Sequence, residues 1–163
     1  MPRSKKIRRA LILGVGNILM KDDGAGVMAV AHIKKNYALP RTVKCLDGGT
    51  AGTGLFLYIK RYSDIIIIDA VRAKGKAGSV RRITPLDIEK GPDMAKTAHY
   101  LGIKEFLALA RFAGNRPSPK IVIIGVKPKD ISFGTEVTEV VRKKLPYIAG
   151  AVKKELGRLG YKI

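Results

Sequence analysis

Hydrophobic positions along the chain form blocks that predict alternating strands and helices. The clearest block is Ile65–Ile68, four consecutive β-branched residues. Because polar positions do not alternate with these residues, the block predicts a central parallel strand that helices cover on both faces. Shorter apolar runs predict three further strands, at Arg9–Leu13, Val43–Leu46 and Lys120–Gly125.

A different kind of strand is predicted at Ser79–Ile83. It carries Arg81 and Arg82, which would need partners inside a sheet, so we expect this strand to lie at the sheet edge. A polar turn, Asp-Gly-Gly-Thr, is predicted at Asp47–Thr50 after the second strand, because its two glycines are free to take positive φ. The stretch Thr84–Asp87 predicts a short turn or the start of a helix.

Apolar residues at helical spacing predict helices between these strands. The first covers Gly24–Asn36, with Val27, Val30, Ala31 and Lys34 on one face. Two more are predicted near the end of the chain, at Thr138–Lys144 and Pro146–Gly157. The packing stripe of the last helix comprises Ile148, Ala151, Val152, Leu156 and Leu159. Two further helices are predicted from Thr50 or Thr53 to Arg61, and from His99 onward after a polar connection at Gly91–Thr97.

The order of these elements predicts an α/β fold. We expect a three-layer αβα sandwich with a mostly parallel, twisted five-stranded sheet and helices on both faces. A length of 163 residues fits one domain over 1–163. Because parallel strands end at the same edge of a sheet, the loops after the first three strands should bring Asp22, Asp23, Asp47 and Asp69 together. The sequence therefore predicts a functional site at this edge.

The chemistry expected at this edge is that of carboxylates and one imidazole. Aspartates with His99, at the start of a predicted helix, form an open set of oxygen and nitrogen ligands that suits Ni²⁺ or Zn²⁺. Each residue also has a structural explanation: Asp23 as a helix cap, Asp47 and Asp69 as turn residues, and His99 as a structural residue at a helix start. Their joint placement at three strand ends favours the functional interpretation.

Other kinds of site are less well supported. Gly14-x-Gly16 after a strand suggests dinucleotide binding, but Leu19 stands where that pattern requires a third glycine, and two adjacent aspartates would repel phosphate. The sequence contains no nucleophile elbow, P-loop or H-E-x-x-H segment. The one cysteine, Cys45, lies in an apolar run and is predicted to be a buried, inert thiol. His32 is predicted to be structural.

The charge balance is strongly basic. Thirty-two Lys and Arg against 13 Asp and Glu give a formal net charge of +19, which would attract nucleic acid or an acidic protein. Aromatic content of only 6% and scattered basic residues argue against a single-strand nucleic-acid binder. The lack of Gln suggests a thermophile-like composition. The apolar runs are too short to span a membrane, so a cytoplasmic location is expected.

Six segments of the chain occur in the same order and spacing in one known family. They are Gly14–Leu19, Asp22–Val27, Asp47–Gly52, Ile68–Val71, His99-x-Leu101-Gly102 and Gly125-Val126-x-Pro128. The chain resembles the hydrogenase maturation endopeptidases over nearly its whole length. The resemblance implies that residues 1–163 form one domain of this kind and that the protein is a protease.

The resemblance also implies a substrate and a site. The substrate is the precursor of a nickel-iron hydrogenase large subunit, from which a C-terminal extension is removed after nickel insertion. Asp23, Asp69 and His99 would recognise the nickel, and Asp47 would lie near the substrate tail. Because the nickel belongs to the substrate, no tightly bound resident metal is expected. Further expectations are a monomer and a nickel-insertion chaperone as an additional candidate partner.

Two chemical routes stay open at this point. Either the ion activates water or polarises the scissile carbonyl, or a carboxylate such as Asp47 acts as the base. The candidate catalytic residues of this aspartyl-type site are Asp23, Asp47, Asp69 and His99. The alternative functions are a basic RNA-binding protein and a peptidyl-tRNA hydrolase-like enzyme of similar α/β architecture. Salt-dependent RNA binding would favour these alternatives.

Overall fold

The computed structural model describes residues 7–50, 54, 61–90, 108 and 119–163. The strands in this part of the chain are β1 (Ala10–Val15), β2 (Val43–Gly49), β3 (Asp64–Ala70), β4 (Val80–Ile83) and β5 (Lys120–Val126). The helices are α1 (Ala25–Asn36), α2 (Pro85–Lys90), α3 (Glu139–Arg142) and α4 (Leu145–Arg158). A short 3₁₀ turn at Lys21–Gly24 joins β1 to α1.

The five strands form one sheet in the order β2-β1-β3-β5-β4. The first four of these strands are parallel, and β4 pairs antiparallel with β5 at the edge. Every residue of β3 is buried, as expected for the central strand of a sheet covered on both faces. The predicted central strand, the mostly parallel sheet and the edge position of Ser79–Ile83 are therefore confirmed.

Side chains alternate between the two faces of the sheet and build an apolar cluster on each. Ile12, Ile66 and Ile68 face α1 and α4. On the opposite face, residues such as Leu13 and Ile67 form a second cluster that includes Ile88 of α2. Described helices therefore contact both faces, in agreement with the predicted three-layer sandwich.

The second strand extends further than predicted. Pairing with β1 continues through Asp47, opposite Gly14, to Gly49, opposite Val15, with a register shift between these pairs. The polar turn predicted at Asp47–Thr50 therefore begins later, because Asp47 and Gly48 still belong to the strand. Gly49 adopts a φ of 47°, which is the positive value predicted for a turn glycine.

The first helix has the predicted extent, but part of its predicted face is wrong. Val27 and Val30 are buried as expected, whereas Ala31 and Lys34 are exposed. The buried face includes Gly26, Ala29 and Ile33 instead. The physical reason is that the small residue Gly26 turns toward the sheet, where it allows close contact between the helix and the strands.

The two helices predicted after β5 differ in how well they were placed. α4 carries the predicted buried residues Ile148, Val152 and Leu156, and Ala151 and Leu159 pack half-buried against the same cluster. In contrast, α3 is only four residues long and shorter than the predicted Thr138–Lys144. Thr138 is extended because its backbone N–H and hydroxyl bind the Asp22 carboxylate, so the helix begins after it.

The edge strand is tied to α4 by an ion pair. Arg82 donates two hydrogen bonds to Glu155, at 2.8 Å from Nε and 2.9 Å from Nη2. The Arg82 guanidinium is the main reason that the pKa of Glu155 lies below its usual value. Arg81 donates to the carbonyl of Lys74 at 2.7 Å. Both arginines therefore have polar partners although their strand lies at the sheet edge.

The turn predicted after β4 is the start of α2. Thr84 and Asp87 form a capping box, in which the Thr84 N–H donates to the Asp87 carboxylate and the Asp87 N–H donates to the Thr84 hydroxyl. The helix predicted after Thr50, the connection Gly91–Thr97 and the helix predicted from His99 lie outside the described residues. None of the described helices combines the length and apolar character that crossing a membrane requires.

Candidate active site

The carboxyl ends of three adjacent strands lie side by side at one edge of the sheet. Gly14 of β1 is in register with Asp47 of β2 and with Ile68 of β3. Asp69 follows Ile68 and is opposite Gly125 of β5. Asp23 lies in the 3₁₀ turn, which follows β1 and contacts β3. The structure therefore brings Asp23, Asp47 and Asp69 to one edge, as the sequence predicts.

Three glycines let the 3₁₀ turn and α1 lie directly on the strand ends. A Cβ atom at Gly16 would collide with the carbonyl of Asp23, and one at Gly14 would collide with the carbonyl of Gly26. A Cβ atom at Gly26 would meet the carbonyls of Ile68 and Val15. The Gly14-x-Gly16 pattern is therefore explained by close backbone packing that sets the position of Asp23.

Three consecutive side chains of the 3₁₀ turn point to different partners. Lys21 has a φ of 44°, in the left-handed region that residues other than glycine rarely adopt. Its ammonium group is 2.5 Å from Asp130, and it holds the pKa of that carboxyl well below its usual value. Asp23 is half-buried, and its Oδ2 accepts the Asn17 N–H at 2.9 Å. The unusual backbone at Lys21 thus separates three adjacent charged groups.

Asp22 is completely buried and fixes a distant loop. Its carboxylate accepts hydrogen bonds from the backbone N–H groups of Lys129, Asp130 and Thr138, at 2.8, 3.1 and 2.6 Å. The Thr138 hydroxyl donates a fourth bond at 2.9 Å. The only signal for this anchoring role in the sequence is the adjacency of Asp22 and Asp23, since the donors lie more than a hundred residues away.

Asp69 and Asp47 differ in exposure and face. Asp69 is 1% exposed and lies on the same face of the sheet as Ile67 and Val71, which belong to the cluster facing α2. Asp47 is exposed, and strand alternation from Val43 and Cys45 places it on the α1 face. The two aspartates also belong to strands separated by β1, a backbone separation of about 10 Å. Asp47 is therefore not arranged to share one cation with Asp69.

Three further residues considered in the sequence analysis are His99, Cys45 and His32. His99 lies outside the described residues, and within the described ranges no three His, Cys, Asp or Glu side chains are grouped to hold a metal. Cys45 is buried, and desolvation raises its pKa to about 11, which confirms the prediction of an inert thiol. His32 lies within α1, where its carbonyl accepts the Asn36 amide at 2.8 Å.

A cationic cleft lies near the carboxyl ends of β3 and β5. It has a volume of about 420 Å³ and is lined by Arg72, Ala73, Lys74, Lys127 and Pro128, just beyond the ends of β3 and β5. Lys127 donates to the carbonyl of Gly75 at 2.6 Å, which holds its ammonium at the cleft. These side chains give this side of the edge a positive potential that favours anionic groups.

Comparison with known proteins places this geometry in one family. A family model described as hydrogenase maturation protease matches residues 27–155. The hydrogenase 2 maturation protease of Escherichia coli is 37% identical over 136 residues, covering 82% of this chain and 81% of that protein. The hydrogenase expression/formation protein HupD of Bradyrhizobium diazoefficiens is 33% identical over 147 residues, covering 89% of this chain and 76% of that protein.

A solved structure agrees with these sequence matches. The hydrogenase maturating endopeptidase HybD from E. coli superimposes with a TM-score of 0.82 at 31% identity, over 94% of this chain and 95% of that one. The fold is thus the α/β fold of the hydrogenase maturation proteases. The chain belongs to the hydrogenase maturation protease family.

Proposed function

We propose that this peptidase removes the C-terminal extension of the nickel-loaded precursor of a nickel-iron hydrogenase large subunit. Asp23, Asp69 and His99 contact the nickel, which arrives as part of the substrate. The observation that carries this proposal is the placement of Asp23 and Asp69 at the ends of neighbouring strands, where the 3₁₀ turn contacts β3. The family membership supports the peptidase over RNA binding or peptidyl-tRNA hydrolysis.

Nickel recognition makes metal insertion a condition for cleavage. A precursor without nickel cannot use the ligands at this edge, so it loses the binding energy that aligns its tail. The half-buried Asp23 lies in the turn above the strand ends, and the buried Asp69 lies at the end of β3. Imidazole and carboxylate donors fit a borderline ion such as Ni²⁺, and His99 supplies the imidazole of the proposed set.

Peptide hydrolysis at this edge needs a base or an electrophile. Water adds its hydroxyl to the scissile carbonyl carbon, the C–N bond breaks, and the leaving amine takes up a proton. Asp47 accepts the Gly49 N–H through Oδ1 at 2.9 Å, and its exposed position lets water reach the carboxylate. Because Asp47 lies on the opposite face from Asp69, we assign Asp47 to water activation or tail binding, and Asp69 to the nickel.

The test compares nickel-loaded and nickel-free precursor, with the released peptide detected by mass spectrometry. We expect cleavage of the loaded form only. His99→Ala should lower kcat/KM for the loaded precursor by at least about 100-fold, because it removes one ligand of the aligning cation. The matched control is His32→Ala, which changes the other histidine of the chain and should cleave at the wild-type rate.

Equal cleavage of the two precursor forms would rule out nickel recognition. Unchanged cleavage by His99→Ala, with circular dichroism showing a native fold, would remove His99 from the site. Asp69→Asn provides an independent variant, since an amide keeps the shape of the carboxylate but not its charge. We expect Asp69→Asn to lose discrimination between the loaded and nickel-free forms.

A further inference from the structure

We propose that four exposed apolar side chains next to the candidate active site dock an apolar segment of the precursor beside its scissile bond. They are Ile18 and Leu19, which follow β1, and Ile131 and Phe133, which follow β5; we call them the rim patch. This inference depends on the proposed function, because the partner is the substrate of the same site. It adds a surface for the substrate chain to the proposed nickel contacts.

The exposure of the rim patch is high for large apolar side chains. Phe133 is 79% exposed, Ile18 52%, Leu19 48% and Ile131 40%. Single exposed apolar residues are common on protein surfaces, but a group of them on adjoining segments marks a surface that contacts another molecule. Phe133 in particular is a large aromatic side chain, a type that is enriched at protein interfaces.

Backbone hydrogen bonds join the two segments of the rim patch. The Gly134 N–H donates to the Leu19 carbonyl at 2.9 Å, and the Lys21 N–H donates to the Gly134 carbonyl at 2.9 Å. Met20 and Gly134 form a parallel bridge between the segments. The rim patch is therefore one preformed surface, and binding to it requires little ordering of the protein.

Each segment is also fixed internally. Asn17 accepts the Leu19 N–H through Oδ1 at 2.9 Å, and Asp130 accepts the Ser132 N–H through Oδ1 at 2.8 Å. Such side-chain bonds hold a turn in one conformation. Ile18 and Ile131 each lie within these turns, so their exposure results from fixed backbone positions.

Further hydrogen bonds connect the rim patch to Asp23, one of the proposed nickel ligands, and to the adjacent Asp22. Asp23 accepts the N–H of Asn17, the residue before Ile18. Asp22, next to Asp23, accepts the N–H groups of Lys129 and Asp130, immediately before Ile131. The rim patch therefore stands at a constant distance from Asp23, so a precursor segment bound there is held close to the proposed nickel contacts.

Charge favours the precursor over a second copy as the occupant. Two copies of a chain with a formal charge of +19 repel each other, and Lys129 adds an exposed cation beside Ile131. A neutral or acidic partner with an apolar segment complements both the rim patch and its basic surroundings. The chain that must reach Asp23 passes next to this surface, so the precursor segment flanking the scissile bond is the occupant.

The test uses Phe133→Ser, Leu19→Ser and the double variant with nickel-loaded precursor. We expect each single change to raise KM about tenfold and the double change more, while kcat at saturating precursor stays within about twofold. Matched controls are Ile7→Ser and Leu86→Ser, which are 75% and 55% exposed. Ile7 precedes β1, and Leu86 follows the antiparallel strand β4. Both residues therefore lie toward the amino ends of the parallel strands, away from the candidate active site, and their substitution should leave KM unchanged.

Direct binding separates failure of this inference from failure of the proposed function. If the wild-type protein binds the precursor and the double variant binds about tenfold or more weakly, the docking surface is supported whether or not the tail is cleaved. If the double variant retains wild-type KM and affinity, the rim patch is not the docking surface. Concentration-dependent dimers that Phe133→Ser abolishes, together with unchanged precursor affinity, would assign the rim patch to self-association and overturn the proposal.

Discussion

Lys21, Asp22 and Asp23 show how adjacent residues can perform three separate tasks. Lys21 pairs with Asp130, Asp22 holds the backbone of the loop after β5, and Asp23 lies at the candidate site. This separation of roles depends on the positive φ of Lys21 and on hydrogen-bond donors to Asp22 that lie more than a hundred residues later in the chain. A strained backbone at a proposed active site is consistent with selection for position over local stability.

Glu155 gives a prediction at the residue scale. Its folded-state pKa lies below its usual value, mainly because Arg82 donates to it, so ionisation of Glu155 stabilises the folded protein. This stabilisation is present above the unfolded pKa, near 4.5, and is lost as pH falls through the folded value. We expect Glu155→Gln to lower the free energy of unfolding by about 2 kcal/mol at pH 7, measured by urea denaturation.

The difference between wild type and Glu155→Gln should decrease as the pH falls below 4.5, because the wild-type carboxylate becomes protonated. The control is Glu139→Gln, in a surface pair with a side chain that is 62% exposed, for which we expect a change below about 0.5 kcal/mol. A difference between wild type and Glu155→Gln that does not change with pH would contradict this assignment.

Individual residues were predicted unevenly from sequence. The edge position of Asp23 and Asp69 follows from strand ends alone, because the sheet topology fixes where the strands finish. The anchoring role of Asp22 could not be predicted, since it depends on a loop over a hundred residues away. The sequence alone also does not show on which face of the sheet Asp47 lies, because this depends on how far β2 continues before turning.

At the scale of the helices and strands, the main feature is the close contact between α1 and the strand ends. Gly14 and Gly26 remove the side chains that would otherwise separate the helix from β1 and β3. The helix begins at this contact, so the same packing that buries Ala29 and Ile33 also sets the height of the preceding 3₁₀ turn. Helix packing and site geometry are therefore consequences of the same small residues.

Substitution of glycine tests this contact. A methyl group at Gly26 would meet the carbonyls of Ile68 and Val15, whereas Gly150 in α4 has open space around its Cβ position. We expect Gly26→Ala to lower the free energy of unfolding by about 2–3 kcal/mol. Gly150→Ala, the matched control, should raise it by about 0.5–1 kcal/mol because alanine favours a helix. Thermal and urea unfolding measure both values, and similar effects of the two changes would contradict the close-contact argument.

The elements themselves were largely predictable where one local signal dominated. Ile65–Ile68 specify a buried strand by composition alone, and Arg81 and Arg82 indicate an edge because charged groups there can reach partners. Periodicity gave the extent of α1 but misplaced part of its face. Ala31 and the aliphatic part of Lys34 fit either the buried or the exposed face of a helix. The close approach of Gly26 to the strands turns the helix so that both residues are exposed.

At the scale of the whole molecule, the excess of positive charge stands out. Two of the 13 acidic residues are buried and pair with basic or phenolic side chains: Asp64 binds Arg8 and Tyr161, and Glu155 binds Arg82 and Arg158. Internal use of these acids leaves much of the basic surface available to a partner. The net charge would attract nucleic acid or an acidic protein, and the cationic cleft beyond the ends of β3 and β5 adds to a surface that would steer an acidic partner toward it.

Ionic strength tests this steering. Raising NaCl from about 50 to about 500 mM should raise KM for the precursor several-fold, because salt screens attraction between exposed charges. The value of kcat should change little, since contacts within the closed site are less screened. The control is the thermal unfolding midpoint over the same salt range, which shows whether the fold persists. A KM independent of salt would mean that the net charge does not steer the precursor.

Other expectations from the sequence stay predictions. They include the cytoplasmic location, the monomeric state, the nickel-insertion chaperone and the thermophile-like composition. The fold class and the family could nevertheless be predicted from the sequence. The alternation of strands and helices predicts the fold, and six ordered segments carry the family resemblance. What sequence could not supply is the rim patch, since Leu19 and Phe133 become neighbours only through the bridge at Gly134.

The hydrogen bonds of Asp22 also have a consequence for biosynthesis. Its donors lie 107 to 116 residues further along the chain, so a ribosome releases the aspartate long before it releases Thr138. During translation, the nascent polypeptide therefore carries Asp22 before it carries the backbone groups that bind the Asp22 carboxylate. A chain that ends before Thr138 leaves the buried Asp22 carboxylate without two of its four donors, so we expect it to be less stable than the full protein.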